Sequence, residues 1–371
     1  MKPSFVNPVS GERLFSLDAL RGFDMFWITG GGYLIAVLAK YTGLSWLQVL
    51  SEQMEHADWV GFHFEDLIFP LFMFISGVAI PFSLLSKLEK KVPKSDLAKK
   101  AFKRAMILVL LGLIYNGVFT NWFENPRFAS VLGQIGLAYF FAAVIVIYTK
   151  SFKSCLYWLG GILVGYGIVQ LLMPVPGIGS GILTPEGCIN GYIDRTFLPG
   201  RLYGGVFDPE GILCIVSAIA IILMGNVAGH FLCDKATTNH QKLKTLLIIG
   251  ALSIVTALLL STFYPIIKKC WTSTFNLLAG GIGFLLMAAF YWIIDVKGWR
   301  TWSFFFRVIG MNSIFIYLFY ELVDLGSISR YLFGWRVLAG DTGEIIHVVG
   351  SIMLVWLLLY YMYKKRIFLR V

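Results

Sequence analysis

The stretch Glu55 to Pro81, EHADWVGFHFEDLIFPLFMFISGVAIP, sets two histidines, a tryptophan and an acidic pair directly before an apolar helix. Imidazole accepts a proton near neutral pH, so His56 is the candidate general base. His63 follows about two helical turns later if the segment is helical. Asp66 stands at the start of the apolar run. There it either caps the helix and meets the favourable end of its dipole, or orients a catalytic group or substrate at the membrane boundary. His230, His240 and His347 fall at span ends or in loops and are given no role. No HxxH or HxH spacing occurs, so no metal is expected.

A second cluster runs from Cys188 to Leu213, CINGYIDRTFLPGRLYGGVFDPEGIL. Asn190, Tyr192, Asp194, Asp208 and Glu210 are residue types that hydrogen-bond hydroxyl-rich ligands, and an aromatic such as Trp59 can stack on a sugar ring. The DPEG sequence is equally a good turn and helix start, and both readings stand. Polar groups inside apolar runs form a third set. Arg21 can pair with Asp18 or Asp24 at one end of the first span. Arg307 either snorkels to phospholipid or meets an anionic ligand. Asn276 and Asn312 need partners in apolar surroundings, either another helix or an amide-bearing ligand.

These residues must be positioned by membrane helices. The 371-residue chain is 57% hydrophobic and 14% charged, with a mean hydropathy of +0.74, too little charge to cover a soluble domain. About ten apolar runs approach the length that crosses hydrocarbon. They fall at 19–39, 66–85, 105–119, 131–148, 155–173, 211–233, 245–264, 272–294, 304–325 and 346–363. The expected fold class is therefore all-α, a polytopic transmembrane helix bundle, with residues 1–371 forming one domain and no cleavable signal peptide. The net charge of +10 does not point to nucleic acid. Of the 31 Lys and Arg, 21 fall on one side of these spans, 8 on the other, and Arg21 and Arg307 inside them. The basic side, with both termini, is expected to be cytoplasmic. The long outer segments at about 40–65 and 174–210 are where a site is expected. Cys188 and Cys270 fall on that side, and their separation, hence any disulfide, is not fixed by sequence. The Gly30-Gly31-Gly32 run is read as close helix packing, not phosphate binding. There is no convincing internal repeat, GxGxxG, Walker A or CxxC.

Taken together, RLFSLDALRGF (13–23), HADWVGFHFEDLIFPLFMFISG (56–77), VLGQIGLAYFF (131–141), NGYIDR (190–195), FDPEGIL (207–213) and GMNSIFIY (310–317) resemble the heparan-α-glucosaminide N-acetyltransferase family. The resemblance runs over nearly the whole chain and is similar to the compact bacterial form, without the luminal N-terminal domain of animal lysosomal members. It implies acetyl transfer from cytoplasmic acetyl-CoA, a co-substrate, to the amine of glucosamine or a terminal glucosamine unit across the membrane. It implies that His56, in the HxxWxG pattern, is the catalytic histidine. Asp66 would orient it, with Trp59, Asn190, Tyr192, Asp194, Asp208 and Glu210 on the sugar side. The basic face would meet the coenzyme's phosphates, with Arg21, Lys103, Arg104 and Arg307 as candidates, and Asn276 and Asn312 would grip the donor, Asn312 as an oxyanion partner. Direct transfer and an acetyl-His56 intermediate both remain open. The location expected is a bacterial inner membrane, with lipid contact and a homodimer. Two other readings are carried: a sugar or organic-anion transporter using Asp66, Arg307 and Glu321, and an O-acetyltransferase of surface polysaccharide.

Overall fold

The computed structural model describes residues 14–119, 125–149, 151–323, 325–332 and 341–369. Among them no strand occurs, and the only sheet-like pairings are the single bridges Arg127 to Gly200 and Val175 to Gly179. Among the described residues, eight helices are long and apolar enough to cross a membrane: Phe15–Thr42, Phe64–Glu89, Val131–Tyr148, Phe152–Leu172, Ile212–Cys233, Asn239–Leu260, Ser273–Val296 and Gly343–Lys364. This is an all-α, polytopic membrane protein.

Two stretches expected as spans take other forms. Residues 105–119 fall mostly within a helix, Lys94–Tyr115, whose first turns carry Lys94, Lys99, Lys100, Lys103 and Arg104 and so lack a long charge-free window. Residues 304–325 are divided among shorter helices, Phe304–Gly310, Ser313–Leu322 and Leu325–Leu332. Asn312 interrupts the first pair with φ −129° and ψ 36°. Its amide donates to the Ile367 carbonyl at 3.0 Å and accepts from the Leu369 N–H at 3.0 Å. A short polar side chain that bonds backbone elsewhere in the fold competes with helix continuation.

The chain forms two compact units. One comprises Trp59–Gly61 and Met73–Ala288; the other comprises Leu14–Asp58, Phe62–Phe72 and the chain from Ala289 onward. In the first, Ile212–Cys233 is the central helix, with 78% of its most apolar window buried, against 17% for Phe152–Leu172 and Asn239–Leu260. Ser130, Ser151 and Thr238 each accept a backbone N–H at a helix start, and Thr238 with Gln241 completes a capping box. Two helices of this unit cross at glycine. A Cβ on Gly225 would lie 1.9 Å from the Phe74 carbonyl oxygen, and one on Gly77 would lie 2.0 Å from that of Ile222. Because lipid gives helices no hydrophobic reason to associate, such backbone approach supplies the packing. Gly225→Ala is expected to push the pair apart and cost about 1–3 kcal/mol or more, read as a lower melting temperature in detergent.

In the second unit, Met25, Val308, Ile309, Ile316, Val355, Leu359 and Met362 form the core. Gly22 and Gly310 let the first helix meet Phe304–Gly310, since a Cβ on either would fall within 2.1 Å of a backbone oxygen. The first span is broken. A π-helical segment, Trp27–Gly31, separates Phe15–Phe26 from Gly32–Thr42, with Thr29 at ψ 22° and Gly30 at φ 124°. Only glycine takes that φ without strain, so the glycine run makes a break in the helix as well as permitting close approach.

Candidate active site

His56 sits in the loop after the short helix Ser45–Glu52, and Asp66 in the first turn of Phe64–Ile80. Gln53 ties these elements together: its side chain accepts the Phe64 N–H at 3.2 Å and its carbonyl accepts the Glu65 N–H at 3.0 Å. The Asp66 carboxylate is 1% exposed and hydrogen-bonded through both oxygens. One oxygen lies 2.9 Å from His56 Nδ1; the other accepts the N–H of Ala57 at 3.2 Å and of His63 at 3.0 Å. Asp66 therefore takes an N–H at the helix start and also holds the imidazole. A carboxylate accepts, so Nδ1 carries the proton and the Nε2 lone pair is the basic one. The His56 side chain is 50% exposed. A buried carboxylate fixing the tautomer of an accessible imidazole is the arrangement of a general base or a nucleophile. His63 is turned to another task, its Nδ1 donating to the Glu55 carbonyl at 2.9 Å.

The other candidates of this unit are arranged around the first helix. Arg21 pairs with Asp18 at 3.5 Å. The Arg307 guanidinium lies 4.1 Å from the centre of the Phe15 ring, which Arg300 also approaches. The side chain of Glu321 lies outside the described residues.

The remaining candidates belong to the other unit. The Trp59 indole donates to the Leu183 carbonyl at 2.6 Å and stands edge-on to Phe207. Asn190 is buried in a network that sequence reading missed: it donates to the Tyr166 hydroxyl at 2.7 Å and to the Cys270 carbonyl, and accepts from Gln170 at 2.7 Å, while Tyr264 donates to Gln170. Tyr192 is half-buried on the Ile189–Phe197 helix. Asp194 accepts the N–H of Ile212 at 3.0 Å and of Asp208 at 3.3 Å, and so holds the start of the central helix. Asp208 is gripped by both arms of Arg127, at 2.8 and 2.6 Å, and Glu210 bonds the same guanidinium. Arg127 had no signal in the sequence, being a lone arginine in a loop far from its partners. Arg104 lies over the Tyr139 ring, and Asn276 donates to Ser217 on the central helix. All five cysteines are free thiols, with Cys188 and Cys270 in one buried cluster. Among the described residues no group of three or more His, Cys, Asp or Glu is placed to hold a metal.

Burial opposes the charge on Arg127, but Asp208 and Glu210 outweigh it and raise its affinity for the proton. Burial pushes the Glu210 carboxyl up to about 7, with Arg127 pulling it down and Asp208 pushing it further up. Burial accounts for the direction, because the attraction of Arg127 outweighs the repulsion of Asp208 and yet does not cancel the cost of burying the charge. Burial also pushes Asp194 up to about 6, against the two N–H groups it accepts. Both shifts are upward, so the folded state binds these protons more tightly than the unfolded chain, and their contribution to stability is fully present below pH about 4 and lost as pH rises through about 6 to 7. Melting temperature followed from pH 4 to 8 should show this fall, and Glu210→Gln should flatten its upper part.

No protein-family model matches the chain. Two curated proteins do, both named heparan-alpha-glucosaminide N-acetyltransferase. The one from Homo sapiens is 29% identical over 437 residues, covering 100% of this chain and 63% of its own length. The one from Mus musculus is 27% identical over 434 residues, covering 100% of this chain and 64% of its own length. The chain thus spans somewhat less than two thirds of the relatives it matches. Over its whole length, then, this all-α membrane chain is similar to proteins named heparan-alpha-glucosaminide N-acetyltransferase.

Proposed function

We propose that the protein is a membrane acetyltransferase that moves an acetyl group from acetyl-CoA to the amine of glucosamine or a terminal glucosamine unit. The observation that carries the proposal is the His56–Asp66 pair, a buried carboxylate set on Nδ1 of a half-exposed imidazole, in a chain whose relatives are named for this transfer. His56 Nε2 takes the proton from the attacking amine as the nitrogen–carbon bond to the acetyl group forms. It returns that proton to the sulfur as the carbon–sulfur bond breaks. Asp66 stabilises the imidazolium in between without itself being protonated. The alternative order, in which Nε2 first accepts the acetyl group and then passes it to the amine, uses the same two residues.

The sidedness follows from charge: the basic loops, with both termini, are cytoplasmic, the donor is supplied there, and the acceptor lies on the far side. Arg21, Arg104 and Arg307 are the cations proposed for the coenzyme's phosphates, with Asn276 and Asn312 as polar contacts along its arm. Trp59, Tyr192 and the outer carboxylates Asp194, Asp208 and Glu210, with Asn190 holding their helix, are proposed to shape the sugar side. The chain is proposed to act as one acyltransferase domain of a bacterial inner membrane, as a homodimer. The deciding assay follows release of free CoA thiol from purified protein given acetyl-CoA and glucosamine. Release that requires the sugar supports the proposal; none with any of several amino sugars, from folded protein, removes it.

A further inference from the structure

The first span holds a polar pair that the reaction above does not use. Asp24 is 1% exposed, and neither of its oxygens has a hydrogen-bond partner among the described residues; the same holds for the buried indole Nε1 of Trp27. Buried polar atoms in native proteins are almost always bonded, so these three call for an explanation. Three residues apart on one helix, the two side chains share a face with Cβ atoms about 5–6 Å apart, yet they do not bond each other. One offers only acceptors when ionised and the other only a donor. The charged groups acting on Asp24 are Glu65 and Arg21, the latter paired with Asp18.

The location is equally specific. The Trp27 ring stands edge-on to Phe64, centroids 5.2 Å apart, in the same first helical turn that carries Asp66 and, through it, holds His56. Directly after Trp27 the α-helical ladder breaks at Thr29 and Gly30. Such breaks are frequent at functional sites, and within a membrane they are tolerated where the backbone is buried in protein or lines a cavity.

We propose that Asp24 and Trp27 form a clamp for a secondary amide, Asp24 accepting the amide N–H and the Trp27 indole donating to the amide carbonyl. The inference rests on the acetyl-CoA reading, because the pantetheine arm of an acyl-CoA carries two such amides, one of them separated from the thioester sulfur by two methylene groups. Held there, the amide sets the thioester carbon beside the imidazole that Asp66 orients. No covalent change occurs at the clamp; its effect is on donor affinity and placement.

The test uses the full chain in detergent with Trp27→Phe, Asp24→Leu and Asp24→Asn, and two acetyl donors, acetyl-CoA and the amide-free thioester S-acetyl-2-mercaptoethanol. Calorimetric Kd for CoA and the infrared carbonyl band of pantetheine carrying ¹³C in its amides are read beside KM. Trp27→Phe and Asp24→Leu should each raise KM for acetyl-CoA and Kd for CoA about tenfold, the loss of one buried hydrogen bond. They should leave KM for the amide-free donor unchanged, and Asp24→Asn, which keeps an acceptor oxygen, should recover most of the loss. The labelled carbonyl band should move on binding to wild type and not to Trp27→Phe. Equal losses on both donors, or a labelled band that moves alike in wild type and Trp27→Phe, would overturn the clamp and leave the pair satisfied by water. A wild-type protein that transfers from neither donor defeats the acetyltransferase reading instead, and the CoA affinities and the infrared band still decide the clamp.

Discussion

His56→Ala is expected to lower acetyl transfer by at least 10²–10⁴-fold, the usual contribution of a positioned general base, and to abolish it if the histidine carries the acetyl group. The effect should lie in kcat, because the imidazole acts on the proton or the acetyl group and not on the bulk of either substrate. The ring is half-exposed, so its removal opens no core cavity, and the melting temperature should stay near that of wild type. The orders of transfer separate in a rapid-mixing experiment without sugar. A burst of CoA thiol equal to the enzyme present, with acetyl bound to protein, marks the acetyl-histidine route; no burst marks direct transfer. A His56→Ala protein that folds and retains wild-type kcat would take His56 out of the chemistry.

Asp66→Asn should be nearly as damaging, with kcat down on the order of 10²–10⁴-fold, although the side chain keeps its size. An asparagine can still accept the Ala57 and His63 N–H groups through its carbonyl oxygen. Its amide nitrogen then faces Nδ1 and donates, which forces the proton to Nε2 and leaves the accessible nitrogen without a lone pair. It also removes the charge that steadies the imidazolium. Because the turn keeps its backbone acceptor, the loss of stability should stay near 1 kcal/mol, so activity and melting temperature part company. Wild-type kcat in this variant would reduce Asp66 to a helix cap.

His56 and Asp66 were legible as candidates because their residue types are costly at a membrane boundary and so stand out against apolar sequence. Asp66 was expected to orient His56, but the geometry of their hydrogen bond was not legible, because the nine intervening residues do not form one helix and the loop is set by Gln53 and by backbone N–H groups. Arg127 shows the opposite limit: nothing local distinguishes it, and its partners Asp208 and Glu210 stand 81 and 83 residues away. Asn312 was legible as a polar residue needing a partner, but not that its partners are the backbone of Ile367 and Leu369, which ends the helix there.

The sequence by itself determined the membrane class, the positions of most spans and the distribution of basic loops, because hydropathy over a helix length and loop charge are sums over neighbouring residues. Only the tertiary structure decided which buried polar atoms are satisfied and by what. It gave the expected Asp66–His56 pair its geometry, and it alone joined Arg127 to its two carboxylates, turned Asn190 into a member of an interior network, broke the expected 304–325 span at Asn312, and left Asp24 and Trp27 without protein partners among the described residues. Hydrogen bonds are short-ranged and directional, so residue type names what can bond, and only the folded path of the chain brings donor and acceptor within about 3 Å of each other.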